Sequence, residues 1–216
     1  MSTLVTPAGW AFSIWGALYL GALVFAVFQA LPQQHDSALM ARVRRPVAVA
    51  FLANAGWATY VQLDDVTMVS VLIILVGLGS GLLAMRRLTN TPQPLSKRER
   101  WCAALPLTAL AAWLTSATIV NISSALRYHG VEASASTAPI ISAAVLVVGG
   151  LVAGTALARS KGCPPYAIVF LWALAAIFAK GGQLSSSVAI ACAVAASIVI
   201  AGALIGWRRG GAHWTT

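Results

Sequence analysis

Seven times along the 216 residues the polar positions thin out, each time for about 17–25 residues, and then return as a short cluster. The apolar runs lie near 9–30, 46–63, 66–86, 102–126, 137–158, 165–181 and 184–207. Stretches such as 66–85 and 185–207 are apolar on every side rather than along one stripe, the pattern of helices that face lipid. Prolines punctuate the runs: Pro32 follows the first, Pro46 opens the second, Pro139 stands near the start of the fifth, and Pro164-Pro165 open the sixth. The pattern predicts an all-α, polytopic transmembrane bundle of seven helices. It forms one membrane domain with a four-helix region over 1–130 and a three-helix region over 131–216. The sixth helix is the shortest and ends at Lys180, whose ammonium can reach the interface. No basic stretch precedes the first run, so that helix is expected to stay in the membrane rather than be cleaved as a leader.

The polar clusters supply an orientation. Arg42, Arg44 and Arg45 follow the first helix; Arg86, Arg87, Lys97, Arg98 and Arg100 follow the third; Arg159 and Lys161 follow the fifth; Arg208 and Arg209 follow the seventh. Twelve of the fourteen basic residues thus fall on one side. Arg127 and Lys180 fall on the other, together with Asp64, Asp65 and Glu132. Cytoplasmic loops are the ones enriched in Lys and Arg, which puts the N-terminus outside and the C-terminus inside. Losing one helix from the count would scatter the clusters over both faces. A multi-pass protein of a cell membrane, of bacterial inner-membrane type, is expected, with the lipid bilayer as its surroundings.

Composition agrees: 9% of the residues are charged, against about 25% in soluble domains. The net charge of +9 does not point to nucleic acid, because the basic residues sit in short clusters between hydrophobic runs rather than on one patch. Cys102, Cys163 and Cys192 are scattered singly, and His35, His129 and His213 fall in loops or the tail. No metal site and no tightly bound cofactor is expected. No Asp or Glu falls inside a predicted span, which argues against a pump with a carboxylate relay. Lys180 lacks an intramembrane counter-ion, which argues against a retinal Schiff base.

Polar side chains inside membrane helices are expensive and tend to face a cavity or a neighbouring helix. The second helix carries Asn54, Trp57 and Tyr60. The fourth carries Thr108, then Thr115, Thr118 and Asn121 at three-residue spacing along one side. The first carries Trp10, Phe12, Trp15 and Tyr19. With the orientation above and about 1.5 Å of rise per residue, the three sets meet at similar depth, from mid-membrane into the outer half. Aromatic walls with a few amide and hydroxyl groups suit a flat, hydrophobic small-molecule ligand. A plainer role stands beside this one. Trp10, Trp101 and Trp207 fit interfacial anchors, the hydroxyls can bond their own helices, and a single Asn can bridge two helices. Gly77 and Gly81, like Gly150 and Gly154, form GxxxG spacings that would permit a homodimer.

The segment Thr6-Pro7-Ala8-Gly9-Trp10-Ala11-Phe12-Ser13-Ile14-Trp15-Gly16-Ala17-Leu18-Tyr19 resembles the signature of the TspO/MBR family, the tryptophan-rich sensory proteins related to the mitochondrial translocator protein. Leu52-Ala53-Asn54-Ala55-Gly56-Trp57 resembles the family's Asn-x-x-Trp helix, and Pro106 through Trp113, Thr115 and Thr118 to Asn121 its last helix. The likeness covers roughly 5–128. It implies a membrane receptor or carrier for porphyrin, haem or sterol-like ligands, held by Trp10, Phe12, Trp15, Tyr19, Asn54, Trp57, Trp113, Thr115, Thr118 and Asn121. The chain departs from the usual five-helix form: the signature lies on its first helix instead of the second, and three further helices follow. Arg127 and Tyr128 are adjacent, so no spaced cholesterol-recognition pattern follows the fourth helix.

Two alternatives belong to other classes. A small permease would be expected to show an internal repeat or a pair of broken helices, and neither is evident. A light-dependent porphyrin-modifying enzyme would rely on a Trp, since no general base, nucleophile or metal triad, and so no catalytic residue, is apparent.

Overall fold

Ser37, Thr67 and Ser185 each turn a hydroxyl oxygen onto a backbone N–H of the helix that follows, at Met40, Val69 and Val188. These caps satisfy donors that a helix start leaves bare. The computed structural model describes residues 3–131, 134, 136–210 and 214; Glu132 and His213 lie outside them. Seven long helices follow one another: α1 (Ile14–Ala30), entered through a 3-10 turn at Gly9–Ser13, α2 (Ala38–Leu63), α3 (Met68–Thr89), α4 (Leu105–Tyr128), α5 (Ala138–Arg159), α6 (Pro164–Ile177) and α7 (Ser186–Arg208). The described residues contain no strand.

Six of the seven are long and apolar enough to cross a membrane. The exception is α2, whose apolar run is interrupted by Asn54, Trp57, Tyr60 and Gln62. It packs along the whole of α3 as a full member of the bundle. The most buried helix is α4, which touches α1, α3, α5 and α6 and joins the first four helices to the last three.

Two predicted boundaries move, each for a visible reason. Helix α2 begins at Ala38, so Pro46 lies inside it and Arg42, Arg44 and Arg45 belong to its first turns instead of a loop. A helical proline leaves the carbonyl four residues earlier without its N–H partner. That carbonyl, of Arg42, accepts instead from Arg87 Nη1 at 2.6 Å. Arg44 Nη2 donates to the Gln34 carbonyl at 2.6 Å and to that of Gln29, in the last turn of α1, at 3.3 Å. Helix α4 is reached through a Ser96/Glu99 capping box and a π-helical turn, Arg100–Ala104. A second π turn, Phe178–Gly182, prolongs α6 and contains Lys180, at the end expected for the sixth helix.

The GxxxG spacings are used within the chain. A Cβ on Gly150 would stand 2.8 Å from Ala195 Cα, and one on Gly154 would stand 2.8 Å from Ile198 Cγ2, so α5 and α7 approach backbone to backbone. Gly77 and Gly81 face Ala53 on α2 and Ala111 on α4. Both stripes are covered intramolecularly, which removes the feature that suggested a homodimer. The basic segments gather at one end of the bundle: besides the Arg87–Arg42 contact, Lys161 Nζ donates to the Thr91 carbonyl at 3.4 Å and Arg100 Nη1 to that of Trp214 at 2.7 Å.

Candidate functional site

The chain enters α1 under constraint. Ala8 N–H donates to the Ala176 carbonyl at 3.0 Å, just before the π turn of α6, and Val5 is buried against the α5–α7 cluster. Gly181 lacks the side chain that would strike the Leu4 backbone, so the segment before α1 lies directly on the π turn. Widened turns of this kind recur at functional sites. The 3-10 turn that follows sends Trp10 toward α6, where its ring meets Trp172 edge to face at 4.7 Å, and Trp172 Nε1 donates to the Ala11 carbonyl at 3.4 Å.

The next turn of α1 carries the centre of an aromatic cluster. Trp15 lies near-parallel to Tyr19 (5.3 Å, 23°) and to Trp57 of α2 (6.4 Å, 18°), and edge-on to Trp113 of α4 (5.9 Å, 81°). Phe12 meets Trp113 edge-on at 6.0 Å. Such offset and perpendicular arrangements are the favourable ones for aromatic rings. Exposure falls steeply across the group, from 54% at Tyr19 and 46% at Phe12 to 3% at Trp113, so it opens at the outer side of α1 and closes at α4.

Polar groups line the closed side. Asn121 Oδ1 accepts from Trp57 Nε1 at 3.0 Å and from Ser70 Oγ at 3.2 Å, tying α2, α3 and α4 together. Two further atoms are buried without a hydrogen-bond partner: the acceptor Asn54 Oδ1 and the donor Trp113 Nε1. Orphans of this kind are rare in folded proteins and each needs a reason. Farther along α2, Tyr60 OH bridges Thr67 Oγ1 at 2.8 Å and Asp64 Oδ2 at 3.0 Å. Among the described residues no three His, Cys, Asp or Glu side chains converge as metal ligands would.

The structure therefore brings Phe12, Trp15, Tyr19, Trp57, Trp113 and Asn121 to one region, sets Asn54 about one turn before Trp57 on α2, sends Trp10 and Thr115 toward α6, and leaves the Thr118 hydroxyl on its own helix. Trp10 turns to Trp172. Thr115 does not share a face with Asn121: its hydroxyl pairs with Tyr166 OH at 2.8 Å, on the α6 side. Thr118 Oγ1 is occupied by the Leu114 carbonyl of its own helix at 2.7 Å. At about 100° per residue, a three-residue spacing slips around the helix instead of running straight down it. Ser70, Tyr166 and Trp172 were not among the expected residues. The last two lie on α6, which the hydropathy pattern treats as plain scaffold, although a Tyr and a Trp inside so apolar a helix were a usable signal.

A family model described as TSPO-like protein matches residues 1–205, so it takes in the last three helices as well as the motif-bearing four. Neither a curated protein nor a solved structure gives a match.

Proposed function

The chain belongs to the TSPO-like family, and on that premise we propose that its aromatic cluster binds a flat, largely apolar ligand of tetrapyrrole or sterol type, the protein serving as a sensor or carrier. That it is an integral, multi-pass membrane protein follows from the family and the apolar helices. The observation that carries the ligand reading is a pair of buried orphan atoms, the donor Trp113 Nε1 within the cluster and the acceptor Asn54 Oδ1 about one turn before Trp57 on α2. Leaving such a group unsatisfied costs about 1–3 kcal/mol. A ligand with an acceptor at its edge, such as a carboxylate or carbonyl, and with a donor of its own would relieve both costs.

The near-parallel rings of Trp15, Tyr19 and Trp57 offer faces on which a planar macrocycle or fused ring system stacks, and the exposed edge formed by Tyr19 and Phe12 supplies a route from the surrounding lipid. In this reading the basic end of the bundle is cytoplasmic and the cluster lies in the opposite half of the membrane.

Titrating the detergent-solubilised protein with protoporphyrin tests the proposal through tryptophan fluorescence. Saturable quenching is expected, weakened about fivefold in Trp113→Phe, which keeps a ring but loses the N–H, and largely lost in Trp15→Ala. Unsaturable quenching, or identical curves for wild type, Trp15→Ala and Asn54→Leu, would sink the assignment.

A further inference from the structure

Far from the aromatic cluster, at the basic end, the described residues line a cleft of about 840 Å³ between the ends of α3 and α5. Four cations surround its mouth: Arg86 from the last turn of α3, Arg159 from the last turn of α5, Lys161 from the α5–α6 turn, and Arg209 following α7. No carboxylate lines it among the described residues. Below the mouth the walls become apolar, formed by Leu82 on α3 and Leu151 on α5. From Arg159 to Leu151 the helix descends roughly 12 Å, at about 1.5 Å per residue. The cleft therefore has a cationic rim at the level where membrane helices end and a greasy wall reaching into the hydrocarbon.

The backbone at the rim is unusual in one respect. Lys161 has φ = 56°, the described non-glycine residue with a left-handed conformation, and is followed by Gly162 at φ = 75°. Most side chains avoid that region, so the turn holds Lys161 at the rim in a strained conformation, its ammonium also within reach of the Thr91 carbonyl at 3.4 Å. Partial burial draws the Lys161 ammonium below its ordinary pKa. Three helix C-termini also converge here, and their carbonyl ends attract cations. That accounts for one cation per helix end, but not for a fourth contributed by a strained turn, nor for the apolar wall beneath.

We propose that this cleft is a binding site for an anionic phospholipid, its phosphate held by Arg86, Arg159, Lys161 and Arg209 and one acyl chain lying along the Leu82 and Leu151 walls. Basic pockets between membrane helices at the cytoplasmic level are suited to such head groups, and the volume falls within the range of small-molecule sites, roughly 300–1,000 Å³. The site is independent of the aromatic cluster and stands or falls without it.

Native mass spectrometry of the full chain in detergent, titrated with phosphatidylglycerol and with phosphatidylcholine of the same acyl chains, tests the proposal. Phosphatidylglycerol is expected to bind at least tenfold more tightly, with about fivefold lost for each cation removed. Lys161→Gly is the informative single variant, because glycine accepts the left-handed backbone and the fold is retained. Arg86→Gln with Arg159→Gln extends the series. Equal retention of the two lipids overturns the proposal, as does an equal loss in an Arg42→Gln, Arg45→Gln control, which removes two charges from the same end outside the cleft. Displacement of phosphatidylglycerol by millimolar inorganic phosphate would mean a soluble anion is the ligand, and would also overturn it.

Discussion

Trp57 on α2 and Asn121 on α4 are joined by an indole N–H donating to a side-chain amide oxygen across 3.0 Å, between residues 64 positions apart. The same oxygen accepts from Ser70 on α3. One amide thus ties three helices together around the aromatic cluster.

A double-mutant cycle measures that bond. Trp57→Phe should cost about 0.5–1.5 kcal/mol of stability, in the range of interhelical bonds in membranes. Asn121→Leu should cost more, about 1–3 kcal/mol, because it strands the Trp57 N–H, whereas the Ser70 hydroxyl keeps the Thr67 carbonyl at 2.8 Å. The coupling between the two, read from unfolding in mixed micelles, should exceed 0.5 kcal/mol, a value about that of an average interhelical bond. Strict additivity would mean the bond contributes nothing.

The meeting of Trp15, Trp57 and Asn121 was legible in the sequence because it depends on depth alone, and depth follows from where the charges stop and how far a helix rises per residue. Azimuth was not legible. Thr115 and Asn121 are six residues apart, which turns them about 120° from each other, and only the placement of α6 decides that one meets Tyr166 while the other meets Trp57. The extent of α2 was hidden for a different reason. Pro46 reads as a helix start, and the residue that makes an interior proline tolerable, Arg87, lies 41 positions away on another helix.

That compensation is itself testable. Arg87→Gln should destabilise the protein by about 0.5–1 kcal/mol by leaving the Arg42 carbonyl bare. Pro46→Ala restores a backbone N–H to that carbonyl, so the Arg87 substitution should become nearly silent in the Pro46→Ala background. An unchanged penalty there, by thermal melting, would separate the two residues.

Substituting Gly154 or Gly150 by Leu should open the α5–α7 contact at a cost of at least 1–3 kcal/mol, the usual price of overpacking. Melting temperature should fall while the mass of the particle in detergent stays the same, because the stripe is covered within one chain. A change in oligomeric state without loss of stability would contradict the packing described for these glycines.

Thiol labelling probes the α5–α6 turn. Cys163 is fully buried, and burial pushes its thiol up to about 11, an effect only partly offset by the Thr108 hydroxyl. A raised pKa leaves the neutral thiol dominant at every pH below that value, and the thiolate is the reactive form. At pH 8 a maleimide should therefore modify the half-buried Cys102 first and reach Cys163 only after denaturation. Rapid labelling of Cys163 in the folded protein would show that the turn opens.

The docking of Ala8 on Ala176 also orders events in time. The residues that lead into α1 are synthesised well before their backbone partner, which is 168 positions downstream, and the glycine that makes room for them, Gly181, is later still. The segment leading into α1 therefore cannot dock as it emerges. It docks only once α6 is in place, so a chain released early carries the family's tryptophans without the seat that positions them.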